Sequence, residues 1–296
     1  MIAASEAAFL ATSEPLCGVP WLSPQVDDAA LIVKRELLPQ AEDAVVLAGD
    51  SSCLTGLKAK QLAAELGVPA VNLGTLSSHT THGFADLVCT TLSQPLKPRL
   101  IVFSLLPQSV ELNEERTRIF GTYARDLNAY GKNNHHYKIS LQERADWLVH
   151  KHQFNVFPPE YGGSLTQYRQ DLINEAGWYP ETGKYRSRDF VRQEFVPTEF
   201  SVSGIRTLLD AAAEKRVQIV FFWSPFPTDA VSPEYLAAIQ RWTQDLQQQY
   251  PSLIVPRLTA PAWSATEFGR VTHLTPKAAE ENTRQLAEFL KPRLRR

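Results

Sequence analysis

The sequence predicts an α/β fold, a three-layer α/β/α sandwich around a five-stranded parallel sheet of order 2-1-3-4-5 with a helical insertion after strand three. Three observations predict it. Apolar runs of strand length alternate with helix-forming segments of about ten residues or more, a rhythm that implies parallel strands joined by right-handed crossovers. The runs are continuously aliphatic or aromatic, as strands buried on both faces require. The rhythm breaks once, between Pro107 and Thr198, in a polar and aromatic stretch too long for a structureless loop in a compact domain.

Residues 1–24 read as an irregular leader, broken by Pro15, Gly18, Pro20 and Pro24. Asp27 or Asp28 caps a predicted helix running to about Leu38, with Ala29, Ile32, Val33 and Leu37 on one face. Residues 45–48 form strand one and 57–66 a helix closed by Gly67; residues 70–73 form strand two, followed by a helix near 83–92. Strand three covers 100–105. The rhythm resumes with a helix near 204–214, strand four at 217–223, a helix over 233–249, a short strand five at 253–255 and a last helix from about Pro276 to Leu290. The sheet domain therefore spans 25–106 and 198–296, and the insertion 107–197, with helical patches near 112–129, 141–152 and 165–176. Placed at the carboxyl end of strand three, the insertion is expected over the sheet edge as a lid or substrate subdomain.

A chain of 296 residues buries one large core, and its net charge of −2 argues against a nucleic-acid partner. The basic end Lys291-Pro-Arg-Leu-Arg-Arg296 reads as a solvated helix end. Cys17, Cys53 and Cys89 show neither metal spacing nor a disulfide framework, and no metal or cofactor is expected. No run approaches the ~18 apolar residues of a membrane span, and Glu6 and Glu14 interrupt any secretion signal. As written the chain reads as cytoplasmic.

Gly49-Asp50-Ser51-Ser52 stands where strand one ends, at the switch point where open α/β sheets hold their ligands. Ser51 lies on a strand-to-helix turn, near N–H groups that can face a developing negative charge, which suits a nucleophile. Two more loops converge there, Asn72-Leu-Gly-Thr-Leu-Ser77 after strand two and Pro107-Gln-Ser109 after strand three. Gly74 lacks a Cβ and can bring its N–H close, and Gln108 offers an amide; with the Ser51 N–H they form a candidate oxyanion hole. A serine needs a base. The candidate is His273 in Gly269-Arg-Val-Thr-His-Leu-Thr-Pro276, a loop leading into a helix opened by Pro276 and capped by Thr275. Each residue has a plainer reading as a helix cap, a turn glycine or a surface histidine. Their recurrence at corresponding strand ends favours chemistry.

On Gly49-Asp50-Ser51, Asn72-Leu73-Gly74 and His273-Leu-Thr-Pro276 the chain resembles the SGNH, or GDSL-type, hydrolase superfamily. The resemblance covers roughly 44–106 and 198–291. It implies a flavodoxin-like fold, Ser51 as nucleophile, His273 as general base, Asp50 in the catalytic block and the Ser51 and Gly74 N–H groups as oxyanion donors. The Gly-Asp-Ser-Ser turn, Leu106-Pro107-Gln108 and the insertion resemble the alginate O-acetyltransferase and D-alanyl-transfer branch, which works beside membrane-bound O-acyltransferases. That branch implies an ester of a small molecule, carbohydrate or cell-surface polysaccharide as substrate, and a periplasmic or envelope location if an N-terminal anchor is missing here.

The family places Asp three residues before the histidine, where this chain has Arg270, a residue that would oppose protonation of the imidazole. Asp229, ending Trp223-Ser-Pro-Phe-Pro-Thr-Asp229, and Glu267 are candidates for the missing acid. The same departure motivates a second reading, a catalytically impaired carbohydrate- or partner-binding protein. A third is a flavodoxin-like phosphate or nucleotide binder, built on Asp50-Ser-Ser-Cys-Leu-Thr-Gly56. His135 and His136 read as surface residues, while His79 and His82 read as solvated or pocket-lining. The stripe Trp178-Tyr179, Tyr185-Arg186 and Arg188 reads either as a sugar-stacking surface or as ordinary packing.

Overall fold

The computed structural model describes residues 26–112, 165–181, 183, 185, 191–270 and 272–294. Its centre is a parallel sheet of Val45–Gly49 (β1), Ala70–Asn72 (β2), Leu100–Leu105 (β3) and Ile219–Trp223 (β4), in the order β2-β1-β3-β4. Val46 lies opposite Val71 and Ile101, and Ile101 lies opposite Ile219. Among the described residues the sheet has four strands, not five. Ile254 makes a single bridge to Val220, donating its N–H to Ile219 O at 3.0 Å and accepting from Phe221 N–H at 2.8 Å. Pro251 and Pro256 bracket this segment, and a residue without an N–H cannot extend a ladder.

Eight α-helices surround the sheet among the described residues: Val26–Leu37 (α1), Ser51–Gly56 (α2), Ala59–Leu66 (α3), Thr80–Ser93 (α4), Leu165–Asn174 (α5), Glu199–Lys215 (α6), Pro233–Gln249 (α7) and Pro276–Leu294 (α8). Two small pairs complete it, Phe226–Pro227 (β5) parallel to Ala262–Trp263 (β6), and Phe268–Arg270 (β7) antiparallel to His273–Leu274 (β8). Side chains alternate between faces along each strand. Val46, Val71, Ile101, Phe103 and Phe221 join Val33 of α1, Val88 of α4, Ile205 of α6 and Ile239 of α7 in one core. Val45, Leu47, Val102, Val220 and Phe222 meet Leu62 of α3 and Leu286 and Leu290 of α8 in the other. Burying each such side chain contributes roughly 1.5–3 kcal/mol, so both sheet faces must be covered. Among the described residues no helix is long and apolar enough to cross a membrane.

The helix expected over 57–66 is α3, starting at Ala59, and a separate short helix, α2, precedes it, the two parted where Leu57 is extended (φ −132°, ψ 112°). α6 begins earlier than its apolar pattern suggests because the Thr198 hydroxyl accepts the Ser201 N–H as a cap. The chain leaves β3 through Leu112 and returns beside its own exit. Thr198 donates its N–H to Val110 O (3.0 Å) and its hydroxyl to Leu112 O (2.9 Å). α5 does not stand apart as a lid: Tyr168 and Leu172 are fully buried in the first core, and Arg169 pairs with Glu36 of α1. The leader, the patches near 112–129 and 141–152, Cys17, His135, His136, Arg186 and Arg188 lie outside the described residues.

Candidate active site

Ser51 is the first residue of α2, and Asp50 is its cap. β1 can deliver it there only because its last residue is glycine. Gly49 has φ +146°, and a Cβ on it would lie 1.7 Å from Ser104 O on β3. Asp50 Oδ1 accepts the Ser52 N–H (2.9 Å) and the Ser52 hydroxyl, while Oδ2 accepts the Leu106 N–H (2.9 Å) and the Ser109 hydroxyl. The side chain is fully buried. Asp50, expected in the catalytic set, instead spends its oxygens on these donors and clamps the first loop to the third.

The Ser51 hydroxyl lies 2.9 Å from His273 Nε2, and His273 Nδ1 lies 2.7 Å from Glu181 Oε2. These three residues come from α2, from β8 and from the segment beyond α5. Glu181 Oε1 accepts the Gly183 N–H and pairs with Arg270 Nε at 3.2 Å. Burial pushes the Glu181 carboxyl up, but the bonds from His273 and Gly183 and the charges of His273 and Arg270 prevail and hold it below the usual carboxylate range. An ionised carboxylate only accepts, so Nδ1 carries the imidazole proton and Nε2 accepts the Ser51 O–H. That is the arrangement of a serine activated by a base which is itself oriented by an acid.

Glu181 fills the place for which Asp229 and Glu267 were the sequence candidates. Asp229 instead accepts the Tyr185 hydroxyl at 2.6 Å, and Glu267 uses its backbone carbonyl to accept Thr275 N–H at 2.8 Å. Arg270 is the ladder partner of His273 across the bulged β7–β8 pair, which brings its guanidinium against Glu181. There it supports the acid's charge.

The segment carrying Glu181 is strapped across the ends of β2 and α2. Asn72 N–H donates to Ala176 O (2.8 Å), Trp178 Nε1–H to Thr55 O (2.7 Å) and Tyr179 N–H to Leu54 O (3.2 Å). Lys34 of α1, wholly buried, donates to Asn72 O at 2.8 Å and to Gly177 O; burial lowers its ammonium to about 7. Gly177 permits this approach, since at φ +93° a Cβ would lie 1.9 Å from Asn72 O. Trp178 and Tyr179 are therefore packing residues of the strap, with the Lys58 ammonium 4.7 Å from the Trp178 ring centre.

The second loop differs from expectation. Gly74 donates its N–H to Asn72 Oδ1 at 2.7 Å, while the Asn72 amide holds Cys53 O and Leu57 O at 2.8 Å each. The N–H proposed for the oxyanion hole is thus spent inside the loop. Ser77, farther along that loop, places its hydroxyl 3.2 Å from Ser51 Oγ. Gln108 is half-buried on the single 3-10 turn Pro107–Ser109. His79 is fully buried rather than solvated, and His82 packs on α6, its ring 4.4 Å from that of Phe200. The hydroxyls of the supposed phosphate loop bond to protein: Ser52 to Asp50 and Ser224, Thr55 to Ser51 O.

Sequence reasoning missed two residues, Ser77 and Glu181. Ser77 stood in a loop already singled out; Glu181 carried no local signal. Compared with known proteins, the chain matches no family model and no curated protein.

Proposed function

We propose that this protein is an SGNH-type serine esterase or O-acyltransferase working through an acyl-serine at Ser51, on an O-acetylated carbohydrate, a cell-surface polysaccharide or a small ester. The observation that carries the reading is the continuous bonded chain Ser51–His273–Glu181, at 2.9 and 2.7 Å. In this reading Ser51 Oγ attacks the acyl carbon as its proton passes to His273 Nε2. Glu181, kept ionised, stabilises the imidazolium that results. Collapse of the tetrahedral intermediate expels the alcohol, which leaves with the proton from His273. Water or a sugar hydroxyl then repeats the sequence in reverse and frees Ser51. The Ser51 N–H and the Gln108 amide are the candidate oxyanion donors, each worth about 3–4 kcal/mol in such a site. Choice between hydrolysis and transfer rests on which acceptor reaches the acyl-serine. For transfer, a membrane-bound O-acyltransferase is the donor partner that the resemblance suggests.

Turnover of p-nitrophenyl acetate tests the reading directly. Ser51→Ala should abolish it, and a fluorophosphonate probe should label wild type but not the variant. Full activity in Ser51→Ala would remove the acyl-serine.

A further inference from the structure

We infer that Ser77 is a further catalytic residue, donating its hydroxyl to the Ser51 oxygen at rest and to the oxyanion during acyl transfer, in the role that the Gly74 N–H does not fill. The inference rests on the acyl-serine reading above and deepens it. Ser51 has one hydroxyl proton, and His273 Nε2, 2.9 Å away, accepts it because Nδ1–H is given to Glu181. The contact between Ser51 Oγ and Ser77 Oγ, at 3.2 Å, must then run from the Ser77 hydroxyl to the Ser51 oxygen.

The position of Ser77 is built. Its loop is stitched to the end of β1 by Leu73 N–H to Leu47 O (2.6 Å) and Thr75 N–H to Gly49 O (2.9 Å). Ser77 itself opens a 3-10 turn whose carbonyl accepts the Thr80 N–H, at the start of α4. Asn72 holds the Gly74 N–H at 2.7 Å, so the second loop offers a side-chain donor over Ser51 instead of a backbone one.

In the reaction the bond from Ser51 Oγ to the acyl carbon forms, the carbonyl π pair moves onto its oxygen, and the Ser51 proton goes to His273. The Ser51 oxygen, now bonded to carbon, is a poor acceptor. The oxyanion on that same carbon is a strong one, and the Ser77 hydroxyl turns to it. On collapse the pair returns to the carbonyl, the bond to the leaving oxygen breaks, and that oxygen takes the proton from His273.

Ser77→Ala should lower kcat for p-nitrophenyl acetate about 10²-fold with KM little changed, the range for loss of one oxyanion donor. It should weaken phenylboronic acid, which forms a tetrahedral adduct, by the same factor. Ser77→Thr, which keeps the hydroxyl, should recover most of both. If Ser77→Ala melts early, Ser77→Cys, near in volume but a weak donor, carries the same comparison. Wild-type kcat and boronate affinity in the Ala or Cys variant would overturn the inference, as would equal losses in Ser77→Ala and Ser77→Thr. Ser51→Ala separates the two levels. If it stays active the acyl-serine itself fails; if it is dead while Ser77→Ala is fully active, only the role of Ser77 fails.

Discussion

Asp50 and Glu181 are both buried carboxylates close to Ser51, and their surroundings differ in kind. Asp50 receives two backbone N–H groups and two serine hydroxyls, all neutral, from its own turn and the loop after β3. Glu181 receives an imidazole, one backbone N–H and a guanidinium. A carboxylate saturated by neutral, fixed donors locks loops together. One that faces a titratable ring, with a cation behind it, responds when that ring takes a proton. The residue adjacent to the serine in sequence is the clamp, and the residue far from it is the one that meets the imidazole.

The contrast predicts different failures. Glu181→Gln should cost most in turnover, about 10³–10⁴-fold in kcat, the order expected when an orienting acid becomes its amide, with a smaller loss of stability than Asp50→Asn. Steady-state kinetics beside a thermal melt would check both, and unchanged turnover would break the comparison. Asp50→Asn should act the other way. The new amide turns N–H groups toward donors that need an acceptor, costing roughly 3 kcal/mol in urea unfolding, as one or more buried bonds are lost. Its folded fraction should keep far more activity than Glu181→Gln.

Arg270→Ala should have the smallest effect. The guanidinium is partly exposed and its Nε lies 3.2 Å from Glu181 Oε1, so turnover near neutral pH should fall no more than about fivefold. Its signature lies in acid. Because Glu181 is held below its ordinary value of 4.5 in the fold, its contribution to stability is complete above that pH and is lost as pH falls through the lower, folded value. Without Arg270 the folded value rises toward 4.5, so the loss should be smaller and should finish at a higher pH. Urea midpoints measured from pH 6 to pH 3 would show it, and identical acid profiles would remove Arg270 from the support of Glu181.

Much of the fold was legible because burial leaves a local period. The aliphatic runs at β1, β3 and β4 match buried parallel strands, and α7 is opened by Ser232 and Pro233 as its pattern implies. The fifth strand was over-read: 253–255 looks apolar enough, but the flanking Pro251 and Pro256 limit its pairing to Ile254. Gly74 was misjudged for a different reason. That a glycine can approach a ligand says nothing of whether its N–H is already taken, and only the fold shows Asn72 taking it. For Glu181 no pattern helped, since its place depends on Lys34, Gly177 and Trp178 docking a distant segment across β2 and α2.

By itself, then, the sequence determined the layered parallel sheet and the gathering of three loops at the carboxyl ends of its strands. Both follow from side-chain periodicity and the geometry of strand–helix crossovers, which act over neighbouring residues. Only the tertiary structure decided which carboxylate meets His273, which donors stand over Ser51, and that Asp50 serves as a clamp. Those outcomes depend on which distant groups satisfy each other's hydrogen bonds once water is excluded, and a linear pattern does not record that pairing.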